Sequence, residues 1–141
     1  QEDYLKNLCK ELNIDSDVTF LGFVNPDDVV KEFQNFDVAV FPSTLDSESF
    51  GVAAVEAESC GTPIVVSDVG GLMESTKPGV TSLVAKKASV EDLTDKIDVL
   101  IKDKELRNTM GMNARKFVEE NYSLADNFDY VDKLYHKITL K

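Results

Sequence analysis

Apolar residues along the chain fall into short runs separated by stretches of helical spacing, a pattern that predicts strands alternating with helices. Tyr4, Leu5, Leu8, Cys9 and Leu12 recur as one face of a helix. Val18 to Val24 reads as a strand. Asn25-Pro26 is a helix start, a capping side chain followed by proline at the first helical position, and Val29, Val30 and Phe33 supply that helix's apolar face. Asp37 to Phe41 is a short apolar strand stopped by Pro42. The polar loop Ser43 to Ser47 leads into an apolar helix that begins near Ser49 or Phe50 and is ended by Gly61. Pro63 to Val66 is the next strand, Gly70-Gly71 a turn, and Ser82 to Ala85 a last short strand. Three helices follow. The first, capped by Ser89, carries Val90, Leu93, Ile97 and Ile101. The second carries Leu106, Met110, Phe117 and Val118, and the third Leu124, Phe128, Val131, Tyr135 and Ile138. Among the aromatic residues of these last helices, Phe117, Phe128 and Tyr135 read as core.

Strands alternating with helices imply βαβ units, so the fold class is α/β: a parallel sheet of about four strands flanked by helices, with C-terminal helices after it. Ligands of such sheets bind at the carboxyl ends of the strands. Glu48, Gly51, Gly70 and the Val24–Asn25 turn all come just after predicted strands, so four features distant in the chain converge on one rim.

The bulk numbers narrow the field. At 141 residues the chain fits one domain with its own core. A net charge of −11 argues against nucleic acid and anionic lipid as partners, while leaving room for an anionic small ligand in a local positive field. Cys9 and Cys60 have neither metal-ligand spacing nor the density of a disulfide framework, and read as buried reduced thiols. Reduced thiols imply a cytoplasmic location, and no apolar run of transmembrane length and no signal peptide is visible in the sequence. The chain opens on Gln1 directly into a helical pattern, as a piece of a longer protein or a processed one would.

The candidate chemistry lies in Glu48 and Glu56, eight residues apart around the apolar stretch 50–55. A carboxylate on a buried helix needs a partner. The neighbours of Glu56 at three and four residues are Val52, Ala53, Ser59 and Cys60, none of them charged. Either a distant basic residue satisfies Glu56, or it faces a cleft where a ligand does. The helix start offers free N–H groups and a partial positive charge, and Gly51 removes the side chain that would keep a ligand away. That is a workable phosphate cradle without a basic side chain. From Gly51 to Glu56 the helix rises about 7–8 Å, which would bring a hydroxyl-rich ring to Glu56 when phosphates sit at the helix start. Glu48 would face what lies beyond the phosphates. A nucleoside diphosphate joined to a sugar has this layout.

The same residues carry a resemblance. Val18-Thr19-Phe20-Leu21-Gly22-Phe23-Val24, Asp37 to Ser43, Glu48-Ser49-Phe50-Gly51 with Glu56-Ala57, Cys60 to Val66, Gly70 to Glu74, and the ending Leu106-Arg107, Met110-Gly111 and Asn113-Ala114-Arg115 occur in order and in register. Together they resemble the C-terminal, nucleotide-sugar-binding half of a retaining GT-B glycosyltransferase of the group 1, family 4 type. The resemblance implies a Rossmann-like domain over residues 1–141 that lacks its first strands and the N-terminal acceptor domain. It implies that Glu56 holds the nucleotide ribose, that Phe50, Gly51 and Val52 present backbone N–H groups to the donor sugar and diphosphate, and that backbone near Phe23 and Val24 meets the base. Glu48, the candidate catalytic residue, would contact the transferred sugar, as an orienting group rather than a proven nucleophile. No metal and no cofactor are implied. The partner would be a nucleotide sugar such as a UDP- or GDP-hexose, and the product a glycan, glycolipid or glycosylated small molecule, with peripheral contact to a membrane left to the whole protein.

The family's phosphate-binding Arg and Lys lie upstream of Gln1, so the isolated chain is expected to be inactive. In the family two further strands separate Val18–Val24 from Asp37–Phe41. Without them these strands must re-pair, borrow a partner, or leave an exposed edge through which copies could self-associate. Ser82 stands where the family often has glycine. Gly70-Gly71 is either a plain turn or a close approach to ligand. His136, the only histidine, has no partner cluster, and Arg115 reads as the partner of a carboxylate. A sugar-nucleotide epimerase of the same fold and a non-catalytic nucleotide-sugar-binding module are the rival readings.

Overall fold

The computed structural model describes residues 1–139. Their elements run α1 (Glu2–Glu11), α2 (Pro26–Asn35), β1 (Ala39–Phe41), α3 (Val52–Ser59), β2 (Ile64–Ser67), α4 (Gly70–Ser75), β3 (Ser82–Ala85), α5 (Val90–Lys102), α6 (Lys104–Asn121) and α7 (Leu124–Thr139). The helix ends follow local chemistry. Asn25 accepts from Asp27 N and has Pro26 behind it, Ser89 accepts from Asp92 N, and Asp103 accepts from Leu106 N at 2.9 Å. At the end of α3, Gly61 takes the left-handed conformation, φ 78°, while Thr62 N bonds back to Ala57 O.

The sheet is parallel, in the order β1-β2-β3, with Val40 opposite Val65 and Val65 opposite Leu83. Because side chains alternate along a strand, β2 feeds two cores. Ile64 and Val66 pack with Ala39, Ala54, Ala57, Val69 and Leu72 on the face covered by α3 and α4. Val65 packs with Ala85, Leu100 and Met110 on the face covered by α5 and α6. Two alanines on α3 let that helix lie close to the sheet. Gly111 lets α6 close on the turn that follows α3, since a Cβ there would strike the Gly61 carbonyl.

The sheet has three strands, not about four. Val18 to Val24 is not a strand: among the described residues no backbone hydrogen bond is made by this segment, and Phe23 is 90% exposed. A strand exists only through its neighbour's ladder, and none of the described residues supplies one. The helices also depart from the pattern in places. In α5 the anchor is Leu100, while Val90 and Ile101 at the ends of the predicted face are exposed. In α7 no residue is buried, so Phe128 and Tyr135 are not core. Phe117 is half-buried in α6. An amphipathic face becomes core only where another element covers it.

Candidate functional site

The loop from Pro42 to Gly51 joins β1 to α3 at the carboxyl end of the sheet. It is fixed mainly through its backbone. Glu48 N donates to Leu45 O, and Gly71 N donates to Glu48 O at 2.9 Å. Ser43 Oγ donates to the Glu48 carboxylate at 3.0 Å, which aims that side chain. Gly70 and Gly71 are not a turn. They open α4, and a Cβ on them would run into the carbonyls of Glu48 and Ser49 respectively. The glycine pair is required by the loop that lies against it.

Gly51 caps α3 from the left-handed region, φ 76°, and a Cβ there would collide with the Leu72 side chain. The helix starts two residues later than the pattern predicts. The backbone N–H groups of Phe50, Gly51, Val52 and Ala53 have no acceptor among the described residues. Four adjacent unpaired donors at a helix start are the arrangement an anion cradle requires.

Glu56 is exposed, not buried, so solvent removes the need for a basic partner. It lines a pocket of about 300 Å³ with Pro26, Val29, Phe33, Ser59 and Cys60, between α2 and α3. Thr62 Oγ1 donates to Phe33 O at 2.7 Å and ties the two helices together there. Val24 lies two residues ahead of Pro26 and is half-buried. Thus Glu48, Gly51 and the Gly70-Gly71 pair are brought together, and Glu56 opens onto the side of α3 nearer to α2.

The buried carboxylate of this helix is Glu58, with 0% exposure. Among the described residues neither of its oxygens has a hydrogen-bond partner, and the same holds for buried Ser75 Oγ. Burial pushes the Glu58 carboxyl up to about 7, against a smaller opposing effect of the Thr81 hydroxyl. The Tyr122 phenol is raised by its own burial and then by the Glu58 charge. Tyr122 Oη donates to Ser75 O at 3.2 Å, and its ring stands edge-to-face with Phe50 at 5.5 Å. These residues escaped the sequence reading, although one signal was available: Ala54, Ala57 and Glu58 share the i, i+3, i+4 face.

A larger open groove of about 930 Å³ borders Asp37, Pro63 and α6 at the opposite ends of the strands. Its arginines are engaged. Arg107 donates to the carbonyls of Leu100 and Ile101 and lies 3.7 Å from Asp37, while Arg115 pairs with Glu119 at 2.7 Å and donates to Ser59 O. Ligands of open parallel sheets bind at the carboxyl ends of the strands, which favours the other rim. His136 is exposed, against Asp132 on α7. Cys9 and Cys60 are free and half-buried. Among the described residues no group of acidic, histidine or cysteine side chains could hold a metal ion, and no helix is long and apolar enough to cross a membrane.

The family model of the glycosyl transferases group 1 matches residues 1–117. The chain belongs to this family. An uncharacterised glycosyltransferase of Methanocaldococcus jannaschii is 41% identical over 121 residues, covering 86% of the chain and 30% of that protein. The D-inositol 3-phosphate glycosyltransferase of Nocardia farcinica is 37% identical over 112 residues, covering 79% of the chain and 24% of that protein. The chain therefore spans about a quarter to a third of these relatives. Among solved structures, sucrose-phosphate synthase from Thermosynechococcus elongatus superposes with a TM-score of 0.88 at 29% identity, over 96% of the chain and 34% of that structure. HepE of Anabaena, solved in complex with UDP-glucose, superposes with a TM-score of 0.84 at 28% identity, over 96% of the chain and 38% of that structure. The parallel sheet with helices on both faces is that of GT-B glycosyltransferases, with three strands described here.

Proposed function

We propose that this group 1 glycosyl transferase chain is the nucleotide-sugar-binding part of a retaining hexosyltransferase, acting together with an acceptor-binding domain elsewhere in the whole protein. One observation carries the reading. Four unpaired N–H groups at residues 50–53 stand between a carboxylate aimed by Ser43 and a pocket that contains Glu56. A diphosphate fits the amides, ribose hydroxyls fit Glu56, and the sugar falls toward Glu48. The HepE relative, bound to UDP-glucose, favours a UDP-hexose; a GDP-hexose would use the same cradle and ribose contact. The base would meet backbone at Phe23 and Val24.

In transfer, the leaving diphosphate gains charge, and preorganised amides at a helix start stabilise that charge without reorganising. Glu48 orients the sugar from a fixed loop. No metal is needed for these roles. The chain on its own is expected to bind donor without turning it over, because the acceptor wall of the cleft is not among its elements; turnover by the purified chain would refute that part.

Titration calorimetry against UDP, GDP and ADP tests the site. UDP binding should weaken about tenfold or more in Glu56→Ala, the cost of charge-assisted hydrogen bonds to two hydroxyls. Equal binding by both proteins would remove Glu56 from the ribose.

A further inference from the structure

Glu58 belongs to none of the contacts assigned above, yet it is the least comfortable group in the chain: fully buried, with both oxygens unpartnered. Its surroundings lead back to the cradle by two routes. Tyr122, which senses its charge, packs edge-to-face on Phe50. Tyr122 also holds Ser75 O, and Ser75 Oγ would lie 3.6 Å from a Cβ on Gly51. Ser75 Oγ is itself buried and unpartnered.

Resting on the donor reading, we propose that Glu58 is a positioning residue for the donor cradle: as a neutral carboxylic acid it shares a buried polar cluster with Ser75, Thr81 and Tyr122 whose packing fixes how residues 50–52 are presented. A carboxylic acid brings a donor and an acceptor to a set of hydroxyls, whereas a carboxylate brings acceptors only. Ionised, Glu58 leaves an uncompensated charge beneath the cradle, about 10 Å along α3 from Gly51 and of the same sign as a diphosphate.

Among the described residues no ion pair reaches Glu58; exposed Lys77, whose backbone is bonded to Thr81, and Arg115, which donates to Ser59 O, carry the positive charge of the neighbouring segments. The phenol of Tyr122 at the end of α6 is the titratable group that feels Glu58. On α6, Arg115 and Lys116 face Glu119 and Glu120. On α2, Lys31 pairs with Asp28, and Asp27 and Glu32 add only like charge; Glu74 does the same on α4, and β2 carries no charged side chain.

The test compares the chain with Glu58→Gln and Glu58→Ala. Two quantities are followed from about pH 6 to about pH 8.5, UDP affinity and the hydrogen-exchange protection factors of Ala54 and Val55, whose amides donate to Gly51 O. Wild type should lose affinity by about threefold or more across this range, with a parallel fall in protection. Glu58→Gln, which keeps a donor and an acceptor without charge, should hold the low-pH affinity and protection throughout. Glu58→Ala should be weak at every pH. Parallel pH profiles in wild type and Glu58→Gln would overturn the proposal, as would a flat wild-type profile, which decides the matter even if the variants do not fold. Protection that follows the expected profiles in a chain that binds no nucleotide would instead overturn the donor reading and leave Glu58 as the organiser of the helix start.

Discussion

Glu56 and Glu58 are two residues apart on one helix, and they face opposite environments: Glu56 is exposed on a pocket, and Glu58 is sealed beneath α3. Two helical steps turn a side chain by about 200°, so one carboxylate at this end of α3 must face inward when the other faces out. The inward one has its carboxyl raised by burial.

The native state holds the Glu58 proton up to about pH 7, against 4.5 for the unaltered group. The folded chain therefore binds more protons than the unfolded one between these values. Stability is full below about pH 4.5 and falls as pH rises through about 7, by a total on the order of 3 kcal/mol. Glu58→Gln should remove this slope. Urea unfolding midpoints at several pH values check it, and a variant that keeps the wild-type slope would mean that another group causes it.

Glu56→Ala should leave the fold alone. An exposed side chain without an ion pair contributes within about 0.5 kcal/mol, so the melting temperature should match wild type while nucleotide affinity falls. Glu58→Ala should melt lower than wild type at pH 5, where the neutral acid fills its site. The contrast between the two is read by thermal scans at one pH.

Gly51→Ala combines a left-handed backbone with a collision against Leu72. A cost of about 1–3 kcal/mol is expected, with loss of nucleotide binding beyond what the lower stability explains. Calorimetry well below the melting temperature separates the two effects.

Gly71→Ala puts a methyl group into the Ser49 carbonyl, which is backbone and cannot swing aside. The loop must move. The variant should lose about 2 kcal/mol or more and shift the amide resonances of residues 46–50. Unchanged chemical shifts in that loop would show that α4, not the loop, gives way.

Tyr122→Phe deletes the hydrogen bond to Ser75 O and leaves the ring against Phe50. A loss of about 1 kcal/mol in chemical denaturation is expected, with the edge-to-face packing kept.

Much of this was legible in the chain. The caps at Asn25 and Ser89, the stop at Gly61 and the strands around Val40, Val65 and Leu83 follow from local chemistry and short apolar runs, and all are present. The loop carrying Glu48 and the glycine of the cradle were also visible. What failed were readings that depend on a second element. The apolar run Val18–Val24 needs a neighbouring strand to become one, and the stripe of Phe128 and Tyr135 needs a covering surface. Glu58 was missed because α3 was read as apolar all round; its inner face is the narrower set Ala54, Ala57 and Glu58.

The loop before α3 owes its shape to main-chain contacts with a pair of glycines, plus one serine that aims Glu48. Residues 44–47 supply no side chain to that scaffold, apart from the exposed ion pair of Asp46 with Lys87. Their identities can therefore be randomised in a library while the carboxylate next to them keeps its place, so four variable side chains can be set around one fixed acid without rebuilding the domain.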